Sequence, residues 1–132
     1  MKILCGTDII EIERIKKSIE RSGDKFLNLI YTPAEIKYCE SKRNAKYSHY
    51  AGRFAAKEAI YKAVSSLLPD RFAITWTDVE VINDENGNPK IKFLNLEIEQ
   101  IKSIDISISH SRDYAVATVS ILIDWLYKYK SL

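Results

Sequence analysis

Gly52-Arg53-Phe54-Ala55-Ala56-Lys57-Glu58-Ala59-Ile60-Tyr61-Lys62-Ala63 sits in the longest helical run of the chain. The run extends over about residues 46–68 and is stopped by Pro69. At about 100° per residue, Ala55, Ala56, Ala59, Ile60, Ala63, Val64 and Leu67 fall on one broad apolar face. Small alanines along that face let a neighbouring element approach closely. Glu58 and Lys62 lie on the other side, one turn apart, with Tyr61 and Ser65 beside them.

Working outward, residues 2–10 alternate as a strand, with Leu4, Gly6, Asp8 and Ile10 sharing one side. A helix follows over about residues 13–22, its core stripe Ile12, Ile15 and Ile19, and Gly23 is expected to end it. Arg14, Lys17 and Arg21 fall on its opposite face, and Lys25 can extend their stripe. Thr32-Pro33-Ala34-Glu35 carries the signs of a helix start, with a cap, a proline and a capping-box glutamate; that helix should reach about Ser41. Beyond the central helix the period drops to two. Residues 76–82 and 90–94 read as strands flanking a turn over residues 83–89. Ile104, Ile106 and Ile108 alternate with polar residues, and residues 114–123 return as a further strand after a turn at Ser111-Arg112-Asp113. Residues 94–102 and the tail 124–132 fit no single pattern. Helices first and hairpins later imply an α+β fold, a small antiparallel sheet packed against a long central helix and shorter helices.

The chain of 132 residues has room for one domain, here residues 1–132. Hydrophobic residues at 46%, with only 4 Gly and 3 Pro, exclude a disordered or low-complexity chain. Cys5 and Cys39 form neither a zinc spacing nor a disulfide framework. No stretch reaches the roughly 18 apolar residues of a membrane span, and the N-terminus does not read as a signal peptide, so a cytoplasmic protein is expected. A net charge of +2 is too small to mark a nucleic-acid binder, but its distribution is uneven. Residues 37–57 hold six basic side chains against Glu40 alone, whereas residues 78–113 hold eight acids against four bases. The first block would draw anions such as phosphates or an acidic partner, or would simply be a solvated face.

Three polar clusters interrupt apolar elements: Asp8, the Glu58/Lys62 pair, and Ser109-His110-Ser111. Each has a plain structural reading. Glu58 and Lys62 have the spacing of a helix-surface ion pair, His110 can be a turn histidine, and Asp8 can cap the next helix. Together they suit phosphoryl transfer. Two carboxylates from separate elements, without a histidine cluster, make a hard oxygen site for Mg²⁺ that completes its shell with water and substrate phosphates. Lys62 would stabilise charge on a phosphoryl oxygen, and His110 with Ser109 and Ser111 would offer donors to a second phosphate. Arg53 and Lys46 supply further anion contacts. No Gly-rich nucleotide loop is present, so side chains and the metal would have to hold a nucleotide.

Gly6-Thr7-Asp8-Ile9-Ile10-Glu11-Ile12-Glu13-Arg14-Ile15 resembles the opening motif of bacterial holo-acyl-carrier-protein synthases. The central stretch is similar to their F-x-x-K-E-A-x-x-K-A helix, and Ser107-Ile108-Ser109-His110 through Ala115 and Ala117 to their closing hairpin. The resemblance follows the family's order and spacing over nearly the whole chain. It implies transfer of phosphopantetheine from coenzyme A to a serine hydroxyl of apo acyl carrier protein, with release of adenosine 3′,5′-bisphosphate, in support of fatty acid biosynthesis. Asp8 and Glu58 would bind Mg²⁺ on the coenzyme A pyrophosphate, Lys62 would neutralise charge at the reacting phosphate, and His110, Ser111, Arg53 and Lys46 would hold phosphate groups. The serine proton could pass to Glu58 through a metal-bound water, or to Glu35. The resemblance also implies docking of the acidic carrier protein on Arg14, Lys17 and Arg21, and a homotrimer with active sites between subunits. Two other readings remain: a nucleic-acid-binding module using the basic block and the tyrosines, and a metal-dependent phosphodiester hydrolase.

Overall fold

A computed structural model describes residues 1–124; the reading of the tail beyond Asp124 lies outside the described residues. Strand β1 (Lys2–Glu11) leads into helices α1 (Ile12–Ile30), α2 (Pro33–Glu40) and α3 (Lys46–Val64). Strands β2 (Val79–Asn83), β3 (Pro89–Phe93), β4 (Ile101–His110) and β5 (Tyr114–Ile123) follow. β5 lies between β1 and β4 in an antiparallel three-stranded sheet, while β2 and β3 form a separate hairpin. The α+β architecture read from the change of period is the one observed.

Three boundaries differ from the sequence reading. The first helix breaks at Gly23, as expected, but a second helical segment absent from the sequence reading follows it. Gly23 takes φ +52°, a left-handed value glycine adopts at no steric cost, and the chain turns there and resumes as helix to Ile30. Leu27 and Ile30, buried on the second segment, supply the packing that carries the helix past the break. Trp76–Asp78 is a single tight turn closed by a Thr75/Asp78 capping box, so β2 begins only at Val79. β4 starts at Ile101, inside the ambiguous segment, with a register shift between Ile101 and Ser103.

α3 packs across the inner face of the three-stranded sheet. Its Ala55, Ala56, Ala59 and Ala63 are buried, as are Ala115 and Ala117 of β5. Each alanine buries little area, but small side chains on both layers bring the backbones close, and dispersion contacts accumulate. The approach is tightest at Gly6, where a Cβ would fall on the backbone carbonyl of Ala59. Asp8, two residues on, thereby points to the same face as Gly6 and reaches α3.

A buried ion pair ties the helices together. Lys57 Nζ lies 2.6 Å from Glu35 Oε1 and also donates to the carbonyls of Ile30 at 2.8 Å and Trp76 at 3.0 Å. Glu35 accepts in addition from the Thr32 and Val81 backbone N–H groups, at 2.9 and 2.8 Å. Every ammonium proton thus has an acceptor, which is what makes a charge at 3% exposure tolerable. The outer face of the sheet is uncovered within this chain: Ile3, Ile9 and Tyr114 are 66%, 62% and 47% exposed.

Candidate active site

Asp8, Glu58 and Lys62 come together where β1 crosses α3. Lys62 Nζ lies 3.0 Å from Asp8 Oδ1 and donates to the Thr7 carbonyl at 3.1 Å. Asp8 does not cap α1, whose N-cap is Glu11 without a side-chain hydrogen bond. Lys62 does not form the simple helix-surface pair with Glu58 that spacing alone allows; its ammonium bonds across to the strand. Burial pushes the Glu58 carboxyl above its ordinary value, the Asp8 carboxylate pushes it further, and Lys62 opposes the rise. Two carboxylates that repel each other are a place for a cation. Among the described residues no cluster of three or more His, Cys, Asp or Glu side chains is assembled for a metal. A pair of carboxylates suits Mg²⁺, which keeps waters and takes phosphate oxygens as its remaining ligands. The donor set therefore fits that ion.

Beside Glu58 a cavity of about 420 Å³ opens, lined among others by Lys57, Tyr61, Arg71, Thr75 and Trp76. The Trp76 ring stacks on Phe54 at 5.0 Å, which fixes one wall. Tyr61, Arg71, Thr75 and Trp76 were not singled out as site residues. Arg71, Thr75 and Trp76 follow α3 in a stretch whose course periodicity does not fix; Tyr61, inside α3 and one helical step from Lys62, carried a usable signal.

A second cluster gathers at the far end of α3. His110 of β4 faces His49 with ring centroids 5.8 Å apart, and His49 meets Tyr38 edge-on at 5.6 Å. Arg53 lies over the Tyr38 ring at 3.9 Å and Lys42 at 4.8 Å. Arg53, expected as an anion contact, is 4% exposed, with Nη2 donating to Asn83 Oδ1 at 2.6 Å. Its Nε is buried without a hydrogen-bond partner. Lys46 is turned toward Glu40, at 3.4 Å, and the Tyr47 ring. Ser111 is exposed in the β4–β5 turn, its backbone N–H donating to the Tyr114 carbonyl. His49 and Tyr38 went unremarked in the sequence, although His49 stands one helical turn before Arg53.

Glu35, the alternative proton acceptor, is buried at 1% exposure with both carboxylate oxygens engaged by Lys57, Thr32 and Val81. Its carboxylate is committed to the buried ion pair, whereas Glu58 is half-buried and lines the cavity. Arg14, Lys17 and Arg21 are exposed along α1.

Residues 4–119 match the model of the 4′-phosphopantetheinyl transferase superfamily. The holo-(acyl-carrier-protein) synthase of Ruminiclostridium cellulolyticum is 41% identical over 98% of this chain and 99% of its own. That of Clostridium tetani is 47% identical over 85% of this chain and 89% of its own. Among solved structures, the Bacillus anthracis synthase in complex with CoA (3′,5′-ADP) has a TM-score of 0.75 at 35% identity, covering 92% of this chain and 96% of that one. The Helicobacter pylori synthase in complex with coenzyme A has a TM-score of 0.78 at 31% identity, covering 92% of this chain and all of that one. The chain belongs to the 4′-phosphopantetheinyl transferase superfamily and is a transferase.

Proposed function

We propose that this protein moves the 4′-phosphopantetheine group of coenzyme A to a serine hydroxyl of apo acyl carrier protein, in a Mg²⁺-dependent reaction serving fatty acid biosynthesis. The observation that carries the reading is the meeting of Asp8, Glu58 and Lys62, with Glu58 also lining a cavity. Asp8 and Glu58 would hold Mg²⁺ against the diphosphate. Bound there, the ion would supply charge neutralisation to the phosphoryl oxygens. Lys62 lies one turn from Glu58 and adds a mobile ammonium, half-exposed, for charge that builds during transfer. The serine oxygen forms a bond to the β-phosphorus, the bond from that phosphorus to the bridging oxygen breaks, and adenosine 3′,5′-bisphosphate departs. Glu58, whose carboxyl is already pushed up, is the acceptor for the serine proton.

The remaining assignments follow from charge. His110, Ser111 and Arg53, with Lys46 at the margin, would meet the coenzyme A phosphate that the metal site does not take. Arg14, Lys17 and Arg21 form an exposed basic stripe for an acidic carrier protein. The uncovered face of the β1–β5–β4 sheet, with Ile3 and Ile9 outward, would be covered in a homotrimer with active sites between subunits. We place the whole chain in one domain and the protein in the cytoplasm.

One assay decides the central reading. Incubated with coenzyme A, Mg²⁺ and apo carrier protein, the enzyme should add one phosphopantetheine to the carrier, read by mass spectrometry. Glu58→Gln should abolish the gain while circular dichroism stays that of the parent. An unmodified carrier in the presence of folded parent enzyme defeats the proposal. Sedimentation as a monomer would remove the trimer.

A further inference from the structure

His49 belongs to no part of the reaction described so far, yet its surroundings are unusual. Its imidazole lies against His110 on β4, centroid to centroid 5.8 Å, and against the edge of Tyr38 on α2 at 5.6 Å. The other charged groups around it are Lys42, after α2, and Arg53, one turn along its own helix. Partial burial pushes the His49 pKa below its ordinary value, and Lys42, Arg53 and His110 push it further; none of these three is an acid. The neighbouring Arg53 guanidinium is 4% exposed with a buried Nε lacking a partner. His49, His110, Lys42 and Arg53 thus gather positive charge in one place, the electrostatic complement of a multiply charged anion.

We propose that His49 is a positioning residue that takes up a proton when the phosphate monoester of coenzyme A arrives at His110, so that binding of this end of the cofactor is linked to protonation. The inference rests on the assignment of His110 to that phosphate. Before binding, the ring is neutral near pH 7 and its edge-on contacts hold the facing His110 ring in place. A phosphate dianion reverses the field: the charged imidazolium, unfavourable among Lys42, Arg53 and His110, becomes favourable beside two negative charges. The linkage has a fixed sign. Because the bound state holds more protons than the free state, affinity rises as pH falls from the bound-state pKa toward the free-state pKa. Below about pH 6 the phosphate itself gains a proton and the gain stops.

Calorimetric titration of the intact enzyme with coenzyme A and with dephospho-coenzyme A, in buffers of differing ionisation enthalpy, counts the protons taken up. Between about pH 7.5 and 6.5 the dissociation constant for coenzyme A should fall toward the tenfold per unit that one linked proton gives, with a much flatter slope for the dephospho compound. His49→Phe, which keeps a ring against Tyr38, and His49→Gln, which keeps a polar side chain, should both cut the proton count and flatten the slope for coenzyme A. If both variants keep the parent's slope and proton count, or if the two ligands titrate alike, the linkage is overturned. If His110→Ala binds coenzyme A as tightly as the parent, the phosphate assignment itself fails, and the inference with it.

Discussion

The ammonium of Lys62 lies 3.0 Å from the carboxylate of Asp8, joining residues 54 positions apart in the chain. This pair neutralises one of the two carboxylates at the crossing of β1 and α3 while leaving Lys62 half-exposed. An ammonium in that position can follow negative charge as it builds on a phosphoryl oxygen. Lys62→Met should therefore lower kcat by about 10²–10³-fold, the usual scale for losing a charge-stabilising donor, with little change in the KM for carrier protein. Steady-state kinetics check this. A matching rise in the carrier KM alone would give Lys62 a docking role instead.

Glu58 illustrates the cost of assembling such a site. Its carboxyl is pushed up by burial and then by Asp8. A carboxyl with a raised folded-state pKa lowers stability above that pKa, and the penalty disappears as pH falls below its unfolded-state value. Glu58→Gln removes the repulsion. The variant should be inactive yet more stable than the parent at pH 7.5, by about 0.5–1 kcal/mol after allowing for solvent screening. Melting curves at pH 7.5 and pH 4 test it, and the advantage should shrink at the lower pH.

The pieces of this site differ in how legible they were. Asp8, Glu58 and Lys62 announced themselves because each is a charge at a position where period two or period 3.6 calls for pairing or exposure. That they meet depends on Gly6, whose missing side chain is visible in the sequence but whose contact with Ala59 is not. The burial of Arg53 was not legible because sequence charge carries no information on burial; the Tyr38 ring it lies against comes from another helix. Gly23 was legible as the point where the first helix breaks, but the segment that resumes to Ile30 was not, because only the packing of Leu27 and Ile30 reveals it. The segment before β4 had too few alternating positions to show its register.

Gly6 then yields a sharp expectation. A Cβ there meets the Ala59 carbonyl, a backbone atom that cannot rotate away. Gly6→Ala must push β1 off α3, which separates Asp8 from Glu58. The variant should lose about 2–4 kcal/mol of stability, at the severe end for overpacking because backbone has to move. It should also lose metal-dependent activity at temperatures where it remains folded. Denaturant unfolding and the carrier-modification assay measure the two losses separately.

Lys57 sits next to Glu58 in the chain but serves the frame. Lys57→Met leaves the Glu35 carboxylate buried without its cation, and breaking such a pair costs about 3–5 kcal/mol. Glu35→Gln should cost less but sets an amide NH2 against a former donor, the Val81 N–H or Lys57 Nζ, so it too destabilises. The double variant Lys57→Met/Glu35→Gln should be more stable than the sum of the single losses predicts, because no buried charge remains uncompensated. Urea unfolding of the four proteins gives the coupling energy; strict additivity would show that the two groups do not act as a pair.

Arg14, Lys17 and Arg21 lie in the open on α1, and none of them is ion-paired among the described residues. Exposed charges act on a partner over about 8–10 Å at ordinary ionic strength and are screened as salt is added. If these three steer an acidic carrier protein, raising salt should raise the carrier KM several-fold while the KM for coenzyme A, held nearer the Asp8/Glu58 site, changes little. Charge reversal at one position, Arg14→Glu or Arg21→Glu, should raise the carrier KM by about tenfold or more and weaken its salt dependence, since part of the attraction being screened is gone. Kinetics at two salt concentrations for the parent and both variants test this directly. Equal salt dependence of the two Michaelis constants would move the docking surface off α1.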